Sequence, residues 1–487
     1  MLLAAGQGGL RVLHTPYHKG KGDHDKRSDT VNDMGIYLDT DAARRVTTLT
    51  PHDAKKSKLT EGELESGDFG RRSWYCMAAL GEVKSFSNKE CAFYMQPKSS
   101  SSSSGVPPGS ETTAEVADGF SEEPQPLSTI DAPHDGIGNS VDVFDREPDP
   151  LSPSVDDPDG EPYIRKPWDA EFGLGQLGDY MHNLSTYQHR LFSYGFYVRW
   201  RWARLLYFDR TGALVSEPFD WTETSSPLHD FVWKFAHMTP EQRGYDPTAQ
   251  EASYAEIAQV IRKANDISIP KAIQPYVKAT FLSEDKERDH SKKDVLEWDP
   301  DECPIYKLTV TSSDPSPDEV FPDSEPPPPS PDGPVTSERT FLVGRPHFVA
   351  DSLIGRCTRG YIAFDIATEQ FCFLKDSWRP RVPGRTRPEH LVYERLRSRG
   401  VTRRIATLVC GGDVGGPRRQ LTVTHDYFLE TKRPTPRIHY RIVTKEIGLP
   451  LTEFANFGEL NAVFLDAIIG MMLELFACCT SVLTLLF

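Results

Sequence analysis

The sequence predicts an α+β protein with two folded parts, and three observations support this prediction. Stretches in which apolar and polar residues alternate, such as 192–215, have the period of half-buried strands. Stretches with helical spacing of apolar residues, such as 254–264, lie among them. Two segments rich in Pro, Ser, Gly and acidic residues, 98–162 and 312–338, separate the folded parts because such compositions bury too little apolar surface to fold.

Length, charge and cysteine content restrict the class of protein. The 487 residues exceed a single hydrophobic core of about 250–300 residues, so several domains are expected. A formal net charge of −16 repels polyanions, so no nucleic-acid partner is expected. The eight cysteines form no C-x-x-C pair, and residues 1–7 lack the positive region of a signal peptide. We therefore expect an intracellular protein, cytoplasmic or nuclear, without a membrane partner.

Composition divides the chain into six segments. In chain order they are a disordered N-terminus (1–29), an accessory α/β domain (30–97 and 163–311) split by a disordered insert (98–162), a proline-rich linker containing Pro326–Pro329 (312–338), a five-stranded antiparallel sheet with one helix (339–458), and a helix start with an apolar tail (459–487).

The predicted elements follow from periodicity and turn residues. Strands are expected over 33–38, 74–84, 305–310, 361–366, 371–375, 405–410, 421–428 and 438–447, and helices over 177–191, 227–238, 254–264 and 389–399. Within 192–215, Asp209-Arg-Thr-Gly212 predicts the turn of a β-hairpin, because glycine readily adopts positive φ.

A lysine and a glutamate in the C-terminal part predict an anion-binding pair. Lys375 ends the apolar strand Phe371–Lys375, where an ammonium group needs an anionic partner. Glu394 lies on the next helix, beside residues that form an inward apolar face. The alternative is a lysine whose head simply reaches into water.

Two glycines precede this strand at a predicted turn. Gly355-Arg-Cys-Thr-Arg-Gly360 lies between two strands, and such a turn can place backbone N–H groups around phosphate oxygens. The match to G-x-G-x-x-G is imperfect because Cys357 holds the middle glycine position. An ordinary hairpin is the alternative for this motif alone.

Taken together, these residues resemble the fungal-type protein kinase family. The segments that carry the resemblance are Leu342-Val-Gly-Arg-Pro-His-Phe348, Gly355 to Tyr361, Leu374-Lys-Asp-Ser-Trp-Arg379, Glu394, His439-Tyr-Arg-Ile-Val443 and, in the accessory domain, Phe192 to Tyr197, Asp209 to Ala213 and Gly244 to Thr248. The resemblance implies that 339–458 is a protein kinase small lobe with its hinge.

The resemblance also implies an activity and a set of binding residues. The activity is ATP-dependent phosphorylation of protein Ser/Thr side chains with Mg²⁺. The implied nucleotide-binding residues are Gly355 and Gly360 around the phosphates, Lys375 with Glu394, and the hinge Glu446–Leu449, including Gly448. The protein substrate is unknown.

The sequence departs from the family after Gly470. The expected H-R-D and D-F-G segments of the large lobe are absent, because the chain ends before that lobe, so no catalytic residue is assigned. We therefore expect an inactive kinase-like protein, with a non-catalytic nucleotide-binding or interaction module as the alternative. The apolar tail from Met471 is interpreted as a gene-model error, a packed helix or, since its uncharged run from Leu475 is short of about 20 residues, less readily a membrane anchor.

A weaker pattern in the accessory domain raises a third possibility. Asp33, Glu82 and Lys84 resemble the D…E-x-K arrangement of restriction-like nucleases, in which two carboxylates hold Mg²⁺ and a lysine positions water. Three residues are a motif of low specificity, and a solvated strand end is the alternative.

Overall fold

The computed structural model describes residues 9–15, 34–57, 59–84, 91–95, 164–165, 168–282, 298–301, 303–313, 316–321, 336–415 and 420–483. These residues form two β-sheets with helices beside them, which confirms the α+β class. The predicted insert 98–162, the run Pro326–Pro329 and Asp33 lie outside the described residues. Among the described residues, no helix has both the length and the apolar character that crossing a bilayer requires.

Among the described residues, the first sheet has seven strands in the order β1-β2-β3-β4-β5-β6, with β7 paired to β5. Of the pairings between these described strands, β3–β4 is parallel and the others are antiparallel. The strands are β1 (Gly9–His14), β2 (Met34–Asp39), β3 (Met77–Lys84), β4 (Ser193–Arg199), β5 (Trp202–Phe208), β6 (Ala213–Val215) and β7 (Phe219–Asp220). The predicted turn at Asp209–Gly212 is confirmed, and a second tight turn at Trp200, with φ of 55°, separates β4 from β5.

In the described part of the chain, five helices accompany this sheet. They are α1 (Asp41–Thr47), α2 (Pro51–Ser57), α3 (Glu61–Ser66), α4 (Trp168–Tyr187) and α5 (Pro227–His237). Leu177, Tyr180 and Leu184 of α4 are buried at the helical spacing that predicted them. The helix ends at Tyr187 rather than at 191, because the following Arg190 turns inward to donate to the carbonyl oxygens of β3.

The N-terminus departs from the prediction. Residues 1–29 are expected to be disordered, yet Gly9–His14 forms β1 and pairs antiparallel with β2. The reason is local, because Leu10 and Leu13 insert into the core of the first sheet.

The second sheet has eight strands, all antiparallel, in the order β14-β15-β13-β12-β10-β9-β8, with β11 paired to β12. The strands are β8 (Ala249–Glu251), β9 (Tyr306–Ser313), β10 (Thr336–Val343), β11 (Phe348–Val349), β12 (Arg359–Asp365), β13 (Gln370–Pro380), β14 (Leu408–Asp413) and β15 (Arg437–Thr444). The helices in this part are α6 (Tyr254–Ala264), α7 (Gln274–Phe281), α8 (Glu389–Ser398) and α9 (Phe457–Leu483).

This sheet is larger than the five strands that the sequence predicts. β8 and β9, from the segment assigned to the accessory domain, extend it beyond β10. They join because Leu308 and Val310 of β9 share one buried cluster with Phe341 and Val343 of β10. The division into domains remains a prediction, but the sheet includes residues on both sides of the predicted linker.

Two further segments differ from the prediction. Residues 421–428 form no strand; a single bridge from Leu421 to Ile438 is followed by a 3-10 helix, because the Asp209 carboxylate accepts hydrogen bonds from the N–H groups of Val423 and Thr424. Within the proline-rich linker, Glu319 is fully buried, because Arg379 binds its carboxylate at 2.5 Å.

Candidate functional site

Lys375 lies inside strand β13, which continues to Pro380 rather than ending at the lysine. Its Nζ is 2.7 Å from Oε2 of Glu389, the first residue of α8. Both side chains are partly exposed, at 28% and 38%, so the pair is accessible to a ligand. The predicted ammonium–carboxylate pair is therefore present, but with a different glutamate.

Glu394 is not the carboxylate at Lys375. Residues 389 and 394 are five apart on α8, which rotates them by about 140° around the helix axis. With Glu389 turned to the sheet, Glu394 is exposed and lines a separate cavity of about 90 Å³ next to Arg397 and Val401. The apolar face at 391–396 suggested Glu394, whereas the helix-starting sequence Pro388-Glu389 is the signal that could have indicated Glu389.

Helix α8 is held on the sheet by its second residue, His390. The backbone N–H of His390 donates to Tyr440 Oη at 2.7 Å, and the two rings stack 5.9 Å apart. Gly411 of β14 allows this approach, because a Cβ there would lie 3.0 Å from His390 Cβ. Burial lowers the pKa of His390 to about 4, so the imidazole is neutral at pH 7.

The predicted glycine turn connects β11 to β12 beside the lysine strand. Gly360 is paired directly with Lys375 in the β12–β13 register, so both lie on one face of the sheet. Gly355 has φ of 112°, which favours glycine, and its N–H donates to the carbonyl oxygen of Arg210 at 2.9 Å. Cys357, in place of the middle glycine, also has positive φ.

The space below Gly360 is narrow. A Cβ built on Gly360 would lie 2.7 Å from Cζ of Phe373, two residues before the lysine. On the same face, Ile362 of β12 packs in a buried cluster with Val277 and Phe281 of α7. Aromatic and aliphatic side chains therefore border the lysine pair on the side of the glycine turn.

The predicted hinge follows β15. The Glu446 carboxylate accepts hydrogen bonds from the N–H and hydroxyl of Thr407, at 2.6 and 2.8 Å, so this side chain has a structural role. Burial alone would raise the pKa of Glu446, but the bonds from Thr407 outweigh it and lower the pKa. A Cβ at Gly448 would meet nothing within 4 Å, so the backbone there is open on that side.

The nuclease-like residues are only partly described. Nζ of Lys84 lies 2.7 Å from Oε1 of Glu82, and both side chains are buried at the end of β3. Asp33 lies outside the described residues. In the part of the chain that the structure describes, no three His, Cys, Asp or Glu side chains converge as a metal site.

The tripeptide Asp-Phe-Gly occurs once ahead of the lysine strand, as Asp68-Phe69-Gly70, which is not the large-lobe position that the expectation concerns. The tripeptide lies in the first sheet: His14 N–H donates to Asp68 O at 2.7 Å, and Gly70 N–H donates to His14 O at 2.9 Å. It precedes Lys375 in the chain and pairs with β1, so it does not adjoin the lysine strand.

Comparison with protein families gives a match to one part of the chain. Residues 169–278 match the family model described as fungal protein kinase, which supports a kinase-like function at the family level. The match supports the assignment of this chain to the fungal-type protein kinase family, as the sequence resemblance predicts. The matched range covers α4 to α7 and does not reach Lys375. No curated protein and no solved structure matches the chain.

Proposed function

We propose that the second sheet binds the phosphates of ATP through Lys375, oriented by Glu389. The observation that carries the proposal is the 2.7 Å contact between Lys375, on the second strand after the glycine turn, and Glu389, on the next helix. In protein kinases the nucleotide is held by a lysine on a strand beyond the glycine loop, paired with a glutamate on the following helix. The order turn, lysine strand, glutamate helix is the same here.

The chemistry of the pair suits a polyphosphate. A lysine ammonium has three donors, so one bond to Glu389 leaves donors for phosphate oxygens. Partial exposure lowers the cost of bringing a charged ligand to it. The hinge backbone at 446–449 would contact the adenine, while Glu446 itself stays bound to Thr407.

The family activity is phosphorylation of protein Ser/Thr side chains, which requires an aspartate that orients the hydroxyl and two further side chains that hold Mg²⁺. Lys375 and Glu389 supply none of these roles, so the proposal is confined to nucleotide binding.

The test is a titration with mant-ATP, a fluorescent ATP analogue. Lys375→Met and Glu389→Gln should weaken binding about 10–100-fold, as expected when a charge-assisted contact is lost. Glu394→Gln should bind like the wild type. Lys307→Met is the matched control, because Lys307 forms a similar pair with Glu256 at 3.1 Å on the same sheet. Equal effects at Lys375 and Lys307, or none at Lys375, would contradict the proposal.

A second candidate rests on Glu82 and Lys84. The two side chains are in contact at the buried end of β3, where a nuclease site of this kind would have its E-x-K residues. Incubation with duplex DNA and Mg²⁺ tests it. Cleavage that Glu82→Gln abolishes would support it, and no cleavage by the wild type would exclude it.

A further inference from the structure

A buried carboxylate lies directly behind the lysine. Asp376 follows Lys375 on β13, so the two side chains point to opposite faces of the sheet. Asp376 is 1% exposed. Its carboxylate accepts hydrogen bonds from Nε of Arg441 at 3.2 Å and from Nη2 of Arg359 at 3.5 Å, and lies 2.7 Å from Nε2 of His439.

Arg441, on the neighbouring strand β15, connects this carboxylate to a second one. Its Nη2 donates to Oδ2 of Asp246 at 2.6 Å, and both side chains are buried. Its Nη1 donates to Thr248 Oγ1 and to the Thr309 carbonyl oxygen, each at 2.8 Å. Separating such a group is costly, because water cannot replace the lost partners in the interior.

Asp246 belongs to the family-matched segment and lies on a turn before β8. Its Oδ1 accepts bonds from the Thr248 N–H and hydroxyl, at 2.9 and 2.7 Å, and from Gln420 Nε2 at 2.7 Å. Burial alone would raise the pKa of Asp246, but Arg441 and His439 outweigh it and lower the pKa below its ordinary value. The carboxylate is thus ionised at neutral pH and fixed in orientation.

We propose that Asp246 is a positioning residue for the phosphate-binding lysine, acting through Arg441 and Asp376. The inference rests on the proposed nucleotide-binding function. Because Asp376 is the next residue on the same strand, the position of its buried carboxylate fixes the backbone from which Lys375 reaches Glu389. Without the charge of Asp246, Asp376 is the one carboxylate that Arg441 still binds, beside the neutral oxygens of Thr248 and Thr309. Arg441 then reorients, and the position of Asp376 on β13 is less well fixed.

The chain contains a matched control for this idea. Asp209 and Thr211 form the same D-x-T turn as Asp246 and Thr248, with Thr211 N–H and hydroxyl donating to Oδ1 of Asp209 at 2.8 Å each. Asp209 is also buried and also joins the matched segment to the second sheet region, through the N–H groups of Val423 and Thr424. It has no bond to β13 among the contacts described here. Replacing Asp209 therefore measures how the loss of a buried carboxylate changes the stability of the fold, without a direct effect on β13.

The experiment compares Asp246→Asn with Asp209→Asn in the full chain. Two quantities are measured at a temperature where both variants are folded: amide hydrogen exchange of β13 and the Kd of mant-ATP. We expect Asp246→Asn to speed exchange in β13 about tenfold and to weaken binding about tenfold, as when only a tenth of the molecules hold the competent geometry. Asp209→Asn should change neither by more than about twofold.

The remaining outcomes are also decisive. Equal changes in both variants, or none in Asp246→Asn, would overturn the proposal, since the carboxylate would then be only structural or irrelevant to β13. If Asp246→Asn does not fold, Thr248→Val is compared with Thr211→Val: it removes a hydroxyl that donates to Asp246 and accepts from Arg441, so it weakens the link between Asp246 and β13 by a smaller change. If the wild type does not bind mant-ATP, the proposed function fails, while exchange in β13 still decides whether Asp246 positions the strand.

Discussion

The aromatic ring of Phe373 lies against Gly360, close enough that a Cβ on the glycine would be 2.7 Å from Cζ of the ring. The two residues are on neighbouring strands and on the face that also carries Lys375. In a nucleotide-binding lobe, this is the space below the glycine turn. We therefore expect changes at Phe373 to alter the affinity for nucleotide, and changes at Gly360 to alter the stability of the fold.

Replacing Phe373 by Ala should strengthen nucleotide binding. Removing the ring clears space between the glycine turn and Lys375, while the Lys375–Glu389 pair is unchanged. We expect the Kd of mant-ATP to fall about fivefold, equivalent to about 1 kcal/mol. The control is Phe371→Ala, because Phe371 also packs on this face but beyond Ile362, near Phe364. Tighter binding by both variants, or by neither, would show that the ring does not restrict the site.

Replacing Gly360 by Ala should destabilise the fold by about 1–3 kcal/mol, because the added methyl overlaps the Phe373 ring. The double variant with Phe373→Leu should lose much less than the two single changes summed, since the smaller side chain removes the overlap. Urea denaturation of the four proteins measures this coupling. Strict additivity would mean that the strand relaxes and that the contact is not tight.

Stability should fall with acidification through His390. Burial lowers its pKa to about 4 in the folded state, below the ordinary value of 6.5. As the pH falls, the unfolded chain takes up this proton first, so the stabilisation is complete above about pH 6.5 and is lost between pH 6.5 and 4. The loss approaches about 3 kcal/mol. The free energy of unfolding across this range should depend less on pH in His390→Gln.

His229→Gln is the control for this measurement, because His229 is exposed on α5. Burial, with Arg359 nearby, also lowers the pKa of His189, so His390→Gln should remove only part of the pH dependence. An unchanged slope in His390→Gln, or an equal change in His229→Gln, would show that His390 is not the group that titrates.

The apolar residues of α9 should limit solubility. Phe464, Leu465 and Ile468 are each more than half exposed, and the helix continues past Gly470. Exposed apolar patches of this kind promote association. A chain shortened at Gly470 keeps these three residues but loses Met472, which is also more than half exposed, and the apolar sequence after it. It should therefore scatter less light and give a larger soluble fraction than the full chain. Should the shortened chain precipitate instead, α9 beyond Gly470 stabilises the fold.

The sequence predicts where strands and helices lie along the chain better than it predicts which side chains they bring into contact. The lysine strand and helix α8 are where periodicity places them, because apolar spacing reports local burial. The sequence selects Glu394, whereas Glu389 makes the contact with Lys375, and local patterns do not separate the two because both glutamates fit a helix near the strand. Only the rotation of α8, fixed by the contact of His390 with Tyr440, decides between them.

Long-range contacts explain the other differences. Residues 421–428 have the composition of a strand, but the Asp209 carboxylate, more than 200 residues earlier, binds their N–H groups and turns the chain. Glu319 sits in a segment of disordered composition, yet Arg379 and Asp413 complete a buried charged group around it. Local sequence patterns also do not predict the Asp246–Arg441–Asp376 group, because its members come from three separate segments of the chain.

The pairing of β9 with β10 sets a limit on how the protein can be cut. Eight residues of β9, Tyr306–Ser313, are in register with Thr336–Val343. A fragment starting at residue 339, the boundary that composition suggests, would remove β9 and the first residues of β10. Phe341 and Val343 would then lie on an open sheet edge, which is a template for pairing with another chain. Limited proteolysis between the two strands should therefore nick the chain without releasing either half.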